Sequence, residues 1–129
     1  MSTDAILFEQ QGGIATITLN TPDKGNAIDL VFVRRLFEIA MQCDLDPSIR
    51  CVVLTGNGRL FCAGGDITLM QSAGDNMAGI LSELAGTLHM AVTRLARMPK
   101  PLLCLVNGAA AGAGMGLALL GDVVLAARS

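Results

Sequence analysis

Two glycine-rich segments constrain this chain more than any other feature. The first is Phe61-Cys62-Ala63-Gly64-Gly65-Asp66-Ile67; the second is Asn107-Gly108-Ala109-Ala110-Ala111-Gly112-Ala113-Gly114-Met115-Gly116. Each follows an apolar run that reads as a buried strand, and each leads into a segment that reads as a helix start. A helix start carries unpaired backbone N–H groups and the positive end of the helix dipole. Two such starts facing each other would hold a developing oxyanion without a charged side chain. Glycine also serves strand-to-helix turns for steric reasons alone, so the segments need support from the rest of the chain.

At 129 residues, 52% hydrophobic and 16% charged, the chain reads as one domain with a real core rather than a disordered segment. Aromatic residues make up 3%, with no Trp and no Tyr, so aliphatic side chains, Ala and the seven Met must fill that core. A formal net charge of −2 offers no basic field for nucleic acid. Arg94, Arg97 and Lys100 cluster at a predicted helix end, where the dipole favours cations. The four Cys, at 43, 51, 62 and 104, contain no C-x-x-C pair, and His89 is the one histidine, so the pattern does not support a metal site. Three of these Cys fall in or beside apolar runs and read as small buried hydrophobes. Met1-Ser2-Thr3-Asp4 lacks the basic start and apolar stretch of a signal peptide, and the expectation is a reducing, cytoplasmic setting.

In order, residues 5–10 and 13–19 read as two strands joined at Gly12-Gly13. A polar loop, Asn20 to Asn26, follows. Asp29 is a candidate N-cap for a helix reaching about residue 44, with Phe32, Leu36, Ile39, Ala40 and Cys43 on one face. Asp46-Pro47 ends it. Cys51 to Thr55 reads as a strand covered on both faces, as in a parallel sheet. Asp66 is a candidate N-cap for a short helix to about Met70, and Gln71 to Asn76 reads as a surface loop. Residues 77–98 carry a long amphipathic helix ended by Pro101, with His89 beside its apolar stripe. Leu102 to Val106 is a second buried-strand run, Ala113 to Leu120 a helix stopped by Gly121, and Val123 to Ala127 a third buried-strand run. Alternating strands and helices imply right-handed crossovers and an α/β fold on a parallel sheet.

Two rival readings are weighed against the sequence. No charge occurs between Lys100 and Asp122, long enough for a bilayer, and Gly108, Gly112 and Gly116 have G-x-x-x-G spacing. Against a membrane span, a proline opens the run, Asn107-Gly108 interrupts it and no aromatic belt flanks it. A nucleotide-phosphate loop lacks support, because no G-x-x-x-x-G-K-[ST] is present and Gly112-x-Gly114-x-Gly116 does not have dinucleotide spacing.

These segments together resemble the crotonase family, the enoyl-CoA hydratase and isomerase superfamily. The resemblance is carried by Ile17-Thr18-Leu19-Asn20 with Asn26-Ala27, by Val53-Leu54-Thr55-Gly56 with Phe61 to Asp66, and by Val106-Asn107-Gly108, Gly112-Ala113-Gly114 and Asp122. Ala110 to Gly114 and Leu125 to Arg128 look most like the ring-opening and isomerising enoyl-CoA isomerases of aromatic degradation. The resemblance implies a spiral of strand–strand–helix units and an acyl-CoA substrate, with no cofactor beyond the coenzyme A of the substrate itself. It implies that Gly65 and Ala113 supply the two oxyanion-hole N–H groups. Lys24, Asn26 and Ala27 would lie on the CoA-contacting edge, and Ala63, Gly64, Asp66 and Ile67 along the pantetheine arm. Trimers or hexamers are the family's assemblies, so a homo-oligomer is implied, with no membrane or nucleic-acid partner.

The resemblance also implies what is missing. The first glutamate of the family's hydratases corresponds to Gly116, which has no side chain. Their second carboxylate, and the acidic residue of the isomerases, lie beyond Ser129. Residues 1–129 are therefore expected to be a single, incomplete acyl-CoA-binding core, truncated before the C-terminal helices, with its general base outside this chain. The alternative is an inactive fragment that at most binds acyl-CoA. Asp66 and Asp122 read as an N-cap and a connector rather than as bases.

Overall fold

A computed structural model describes residues 4–128; Met1-Ser2-Thr3, on which the signal-peptide reading rests in part, lie outside the described residues. In chain order the elements are β1 (Ile6–Gln11), β2 (Ile14–Leu19), a 3-10 turn (Pro22–Lys24), α1 (Leu30–Leu45), β3 (Cys51–Gly56) and β4 (Leu60–Cys62). There follow α2 (Ile67–Ala73), a 3-10 turn (Gly74–Asn76), α3 (Met77–Arg97), β5 (Leu102–Val106), β6 (Ala109–Ala110), α4 (Ala113–Ala118) and β7 (Val123–Ala126).

Five strands make one sheet in the order β1-β2-β3-β5-β7. The β1–β2 hairpin is antiparallel and every later pairing is parallel, as strands joined through helices must be. Alternation along the strands decides which face is covered. Ala15, Ile17 and Leu19 of β2, Val52 and Leu54 of β3, and Leu102 and Cys104 of β5 are buried, whereas their in-between neighbours are half-buried or, at Ile14, exposed. The sheet therefore has one closed face rather than the two expected. The third apolar run departs further: β7 pairs with β5 but is exposed along its whole length. It is an edge strand, and no described element covers it.

α1 starts as its sequence dictates, with the Asp29 carboxylate accepting from the Phe32 N–H at 2.8 Å. Its apolar face joins Phe32, Val33, Leu36, Ile39, Ala40 and Cys43 to the core, where Leu84, Ala91 and Leu95 of α3 meet the same cluster. Lys100 reaches the far end of α1 and donates to the carbonyl oxygens of Cys43 and Asp46, the latter at 2.6 Å. Arg94 pairs with Asp44 at 3.1 Å. Lys100 thus serves the C-terminal end of α1, while Arg94 stands in the last turn of its own helix.

Three boundaries differ from expectation. α2 runs on to Ala73 and a 3-10 turn fills Gly74–Asn76, so the segment read as a loop is mostly helical. The Ser72 hydroxyl donates to the Leu69 carbonyl at 3.0 Å, and Gly74 adopts φ 55 to end the helix. α3 stops at Arg97, because Met98 precedes Pro99 and is driven to an extended conformation (ψ 148), so the stop comes before Pro101. α4 ends at Ala118 rather than Leu120, closing in a turn from the Leu120 N–H to the Leu117 carbonyl. The charge-free stretch is divided among β5, β6 and α4, and no helix among the described residues is long and apolar enough to cross a membrane.

Candidate active site

The two glycine segments meet through a second, two-stranded sheet, β4 with β6, which pairs Leu60 with Ala109 and Cys62 with Ala110. Below it the backbones come closer than any side chain would permit. A methyl on Gly114 would lie 2.3 Å from the Cys62 carbonyl oxygen; one on Gly64, which has φ 96, would lie 2.8 Å from the Ala111 oxygen and 3.8 Å from the Ala113 nitrogen. Only glycine lets the two loops close to this distance. The Ala111 N–H then donates to the Cys62 carbonyl at 3.1 Å and locks the contact.

Gly65 and Ala113 stand at this junction. Gly65 precedes Asp66, the N-cap of α2, and Ala113 is the first residue of α4. Ala113 is exposed and Gly65 half-buried. Among the described residues neither N–H has a hydrogen-bond partner, while those of their neighbours Asp66 and Gly114 are taken by the Ile28 and Ala111 carbonyls. Two unpartnered backbone donors therefore lie on adjoining loops.

The loop before α1 is tied to the same place. Asn26, fully buried at φ 57, donates from Nδ2 to the carbonyls of Asn57, Leu60 and Phe61 at 3.0, 3.1 and 3.1 Å, and its Oδ1 accepts from the Thr21 N–H at 2.8 Å. Its side chain is spent on holding loops, which makes it a positioning residue. Asn107 repeats the device from the second segment: it donates to the Gly58 and Leu60 carbonyls and accepts from the Gly56 N–H. In the sequence the task of the Asn107 side chain leaves no signal, and β4 and β6 are too brief to show a period.

Lys24 bridges Asp29 at 3.1 Å and Asp66 at 3.0 Å. Burial pushes the Asp66 carboxyl up, but the Lys24 ammonium and the Leu69 N–H outweigh it and hold the group below the usual carboxylate range. The Asp66 hydrogen bond, then that of Asp29, pushes Lys24 above its ordinary value. Asp66 caps α2, accepting from Leu69 at 3.2 Å. Asp122 accepts from the Leu102 N–H at 2.8 Å and so fixes the entry to β7. Both acids are occupied structurally. Ala63 and Ile67 are exposed and Ala27 is half-buried. A hollow of about 540 Å³ is lined by Pro22, Asp23, Gly25, Gly58, Arg59 and Leu60, of which Gly25 lies against Ala63.

On the α4 side a second hollow, of about 290 Å³, is lined by Ala85, Leu88, His89, Val92, Ala113, Gly116 and Leu117. A methyl on Gly116 would meet nothing within 4 Å. A groove of about 550 Å³ flanks it between α1 and α3, lined by Phe37, Asp44, His89, Met90, Thr93, Arg94 and Arg97. His89 lies on the exposed side of α3, as its place beside the apolar stripe implied, but it borders both spaces. No cluster of His, Cys, Asp or Glu suited to a metal ion occurs among the described residues.

An α/β spiral whose two glycine segments close on each other defines a recognisable class. The model of the enoyl-CoA hydratase/isomerase family matches residues 9–129, and the chain belongs to that family. It is 42% identical to the 1,2-epoxyphenylacetyl-CoA isomerase of Escherichia coli over 96% of this chain and 48% of that protein. A probable enoyl-CoA hydratase of Rhodobacter capsulatus is 40% identical over 100% of this chain and 48% of its own length. Among solved structures, a Pseudomonas aeruginosa protein, PA4980, superposes at TM-score 0.93 with 35% identity, covering 100% of this chain and 55% of that one. An enoyl-CoA hydratase from Polaromonas gives 0.86 and 34%, covering 95% and 48%. The fold is the crotonase fold, and the chain spans about half the length of the curated relatives it matches.

Proposed function

We propose that this chain binds an acyl-CoA thioester and stabilises its enolate through the Gly65 and Ala113 N–H groups, as one part of an enoyl-CoA isomerase-type activity. The observation that carries the reading is the pair of unpartnered donors held together by the Gly64 and Gly114 contacts. Enolate formation moves negative charge onto the thioester oxygen, and donors fixed in advance stabilise that charge more than the neutral carbonyl. The carbon next to the carbonyl becomes more acidic as a result. Lys24, Ala27, Ala63, Gly64, Asp66 and Ile67 line the edge proposed to receive the CoA and pantetheine portions, with Asn26 holding that edge in shape.

Isomerisation fits better than hydration. A two-glutamate hydratase needs a carboxylate at the position of Gly116, and among the described residues no carboxylate lines the hollow beside Ala113. The 42% identical relative named an isomerase points the same way.

Calorimetric titration tests the reading. An acyl-CoA analogue carrying an anionic enolate mimic should bind more tightly than the ground-state thioester. Gly65→Pro, which deletes the N–H, should erase most of that preference, on the order of 100-fold for one oxyanion donor. Gly65→Ala keeps the N–H and should keep the preference, since the added methyl meets only the flexible end of Met70. Equal affinity for the two ligands in the unaltered chain would sink the assignment.

A further inference from the structure

The peptide that carries the Gly65 N–H joins two glycines, and Gly64 stands at φ 96. No Cβ limits its rotation, so its orientation has to come from outside. Ile28 supplies it. The Ile28 N–H donates to the Gly64 carbonyl at 2.8 Å, and the Ile28 carbonyl accepts from the Asp66 N–H at 2.9 Å, an isolated parallel bridge that straddles Gly65. The C=O and N–H of a trans peptide point opposite ways. With its carbonyl held toward Ile28, this peptide turns the Gly65 N–H away from the 24–28 loop. The Ala113 N–H needs no such partner. Its peptide carbonyl, that of Gly112, accepts from the Met115 N–H at 3.0 Å in the first turn of α4.

The residues that follow the two bridge partners are both acidic. Asp29 comes after Ile28 and caps α1; Asp66 comes after Gly65 and caps α2. Two carboxylates brought side by side repel, which would press the bridge open. The Lys24 ammonium lies between them, 3.1 Å from Asp29 and 3.0 Å from Asp66. Lys24 is fixed within the same loop, its N–H donating to the Thr21 carbonyl and its carbonyl accepting from the Ala27 N–H. We propose that Lys24 is a positioning residue for the enolate-binding donor: by clipping the N-cap carboxylates of α1 and α2 together it keeps the Ile28–Gly65 bridge closed, and through that bridge it aims the Gly65 N–H. This rests on the acyl-CoA reading above. The lysine acts on one half of the donor pair, since the Ala113 half is held by its own helix turn.

The probe is 3-oxobutanoyl-CoA, which loses a C2 proton to solvent to give an enolate that absorbs in the near ultraviolet, where the keto form does not. In the unaltered chain the bound ligand should be richer in enolate than the free ligand at the same pH. Lys24→Met should lower the enolate-to-keto ratio of the bound ligand about 10-fold, a part of the loss expected for deleting the donor. The ratio is taken within the bound ligand, so anything Lys24 adds to holding the CoA portion cancels. Asp29→Asn keeps an oxygen for the Phe32 N–H but gives up the charge that holds Lys24, and should lower the ratio in the same direction. An unchanged ratio in Lys24→Met overturns the proposal while the acyl-CoA reading stands. A fall in Lys24→Met without one in Asp29→Asn overturns it too, because the lysine would then act on the ligand directly. A bound ligand no richer in enolate than the free one, in the unaltered chain, would remove the reading and the inference together.

Discussion

At the scale of single residues, side chains near the site mostly hold backbone in place. Lys24 and Asp66 show how that support depends on pH. The Asp66 carboxyl lies below its usual range in the folded chain, so its contribution is present above the unfolded carboxylate value, about 3.9, and is lost as pH falls through the folded value. Lys24 is raised, so its share is present below its ordinary value and lost as pH rises through the folded one. Asp66→Asn keeps a capping oxygen but gives up the charge. Chemical denaturation across pH should show it less stable near neutrality by at most about 1 kcal/mol, because Lys24 is 43% exposed. The difference should vanish in acid. The Asp66 cap was legible in the sequence, since an aspartate before an apolar helical pattern has few other uses. The task of Asn26 was not: a resemblance marks the position without saying that its amide joins four backbone groups of two loops.

At the scale of elements, long periodic segments declared themselves and brief ones did not. α1 and α3 follow from apolar spacing, and even the early stop of α3 follows from Pro99 once Met98 is seen to be driven extended. β4 and β6, of three and two residues, have no period to read, yet they set the site. What the sequence displayed instead was their consequence, a run of glycines. Gly114 and Gly116 look alike as letters and differ in space. Gly114→Ala would press a methyl against the Cys62 carbonyl, and thermal denaturation should register a loss of about 1–3 kcal/mol as β4 and α4 are forced apart. Gly116→Ala points into open space on a helix and should be neutral or stabilising by up to about 1 kcal/mol.

At the scale of the molecule, apolar surface is unevenly placed. Met115 and Leu119 of α4 are 52% and 68% exposed, and Val123 and Leu125 of β7 are 56% and 58% exposed. An apolar strand run reads the same whether or not anything covers it, so the exposure is seen only once the strands are placed. Contiguous apolar area beside a free strand edge favours association. Sedimentation velocity of this chain should reveal concentration-dependent self-association, reduced by Leu119→Glu and by Val124→Lys. A monomer at all concentrations for the unaltered chain would refute that expectation. His89 shows the same limit at the site. Its surface position on α3 was readable, but the presence of Ala113 and Gly116 across a hollow depends on how α4 docks.

The β4–β6 contact also bears on when the site comes into being. Asn107 and Gly58, which it brings together, are 49 residues apart in the chain. Closing so long an intervening loop costs entropy before any contact rewards it, and pairings of this kind form late in folding. The Gly65 half of the proposed site is made well before the Ala113 half can join it. During synthesis, anion-holding capacity should therefore arrive abruptly, when the second glycine segment docks, and not grow with the lengthening chain.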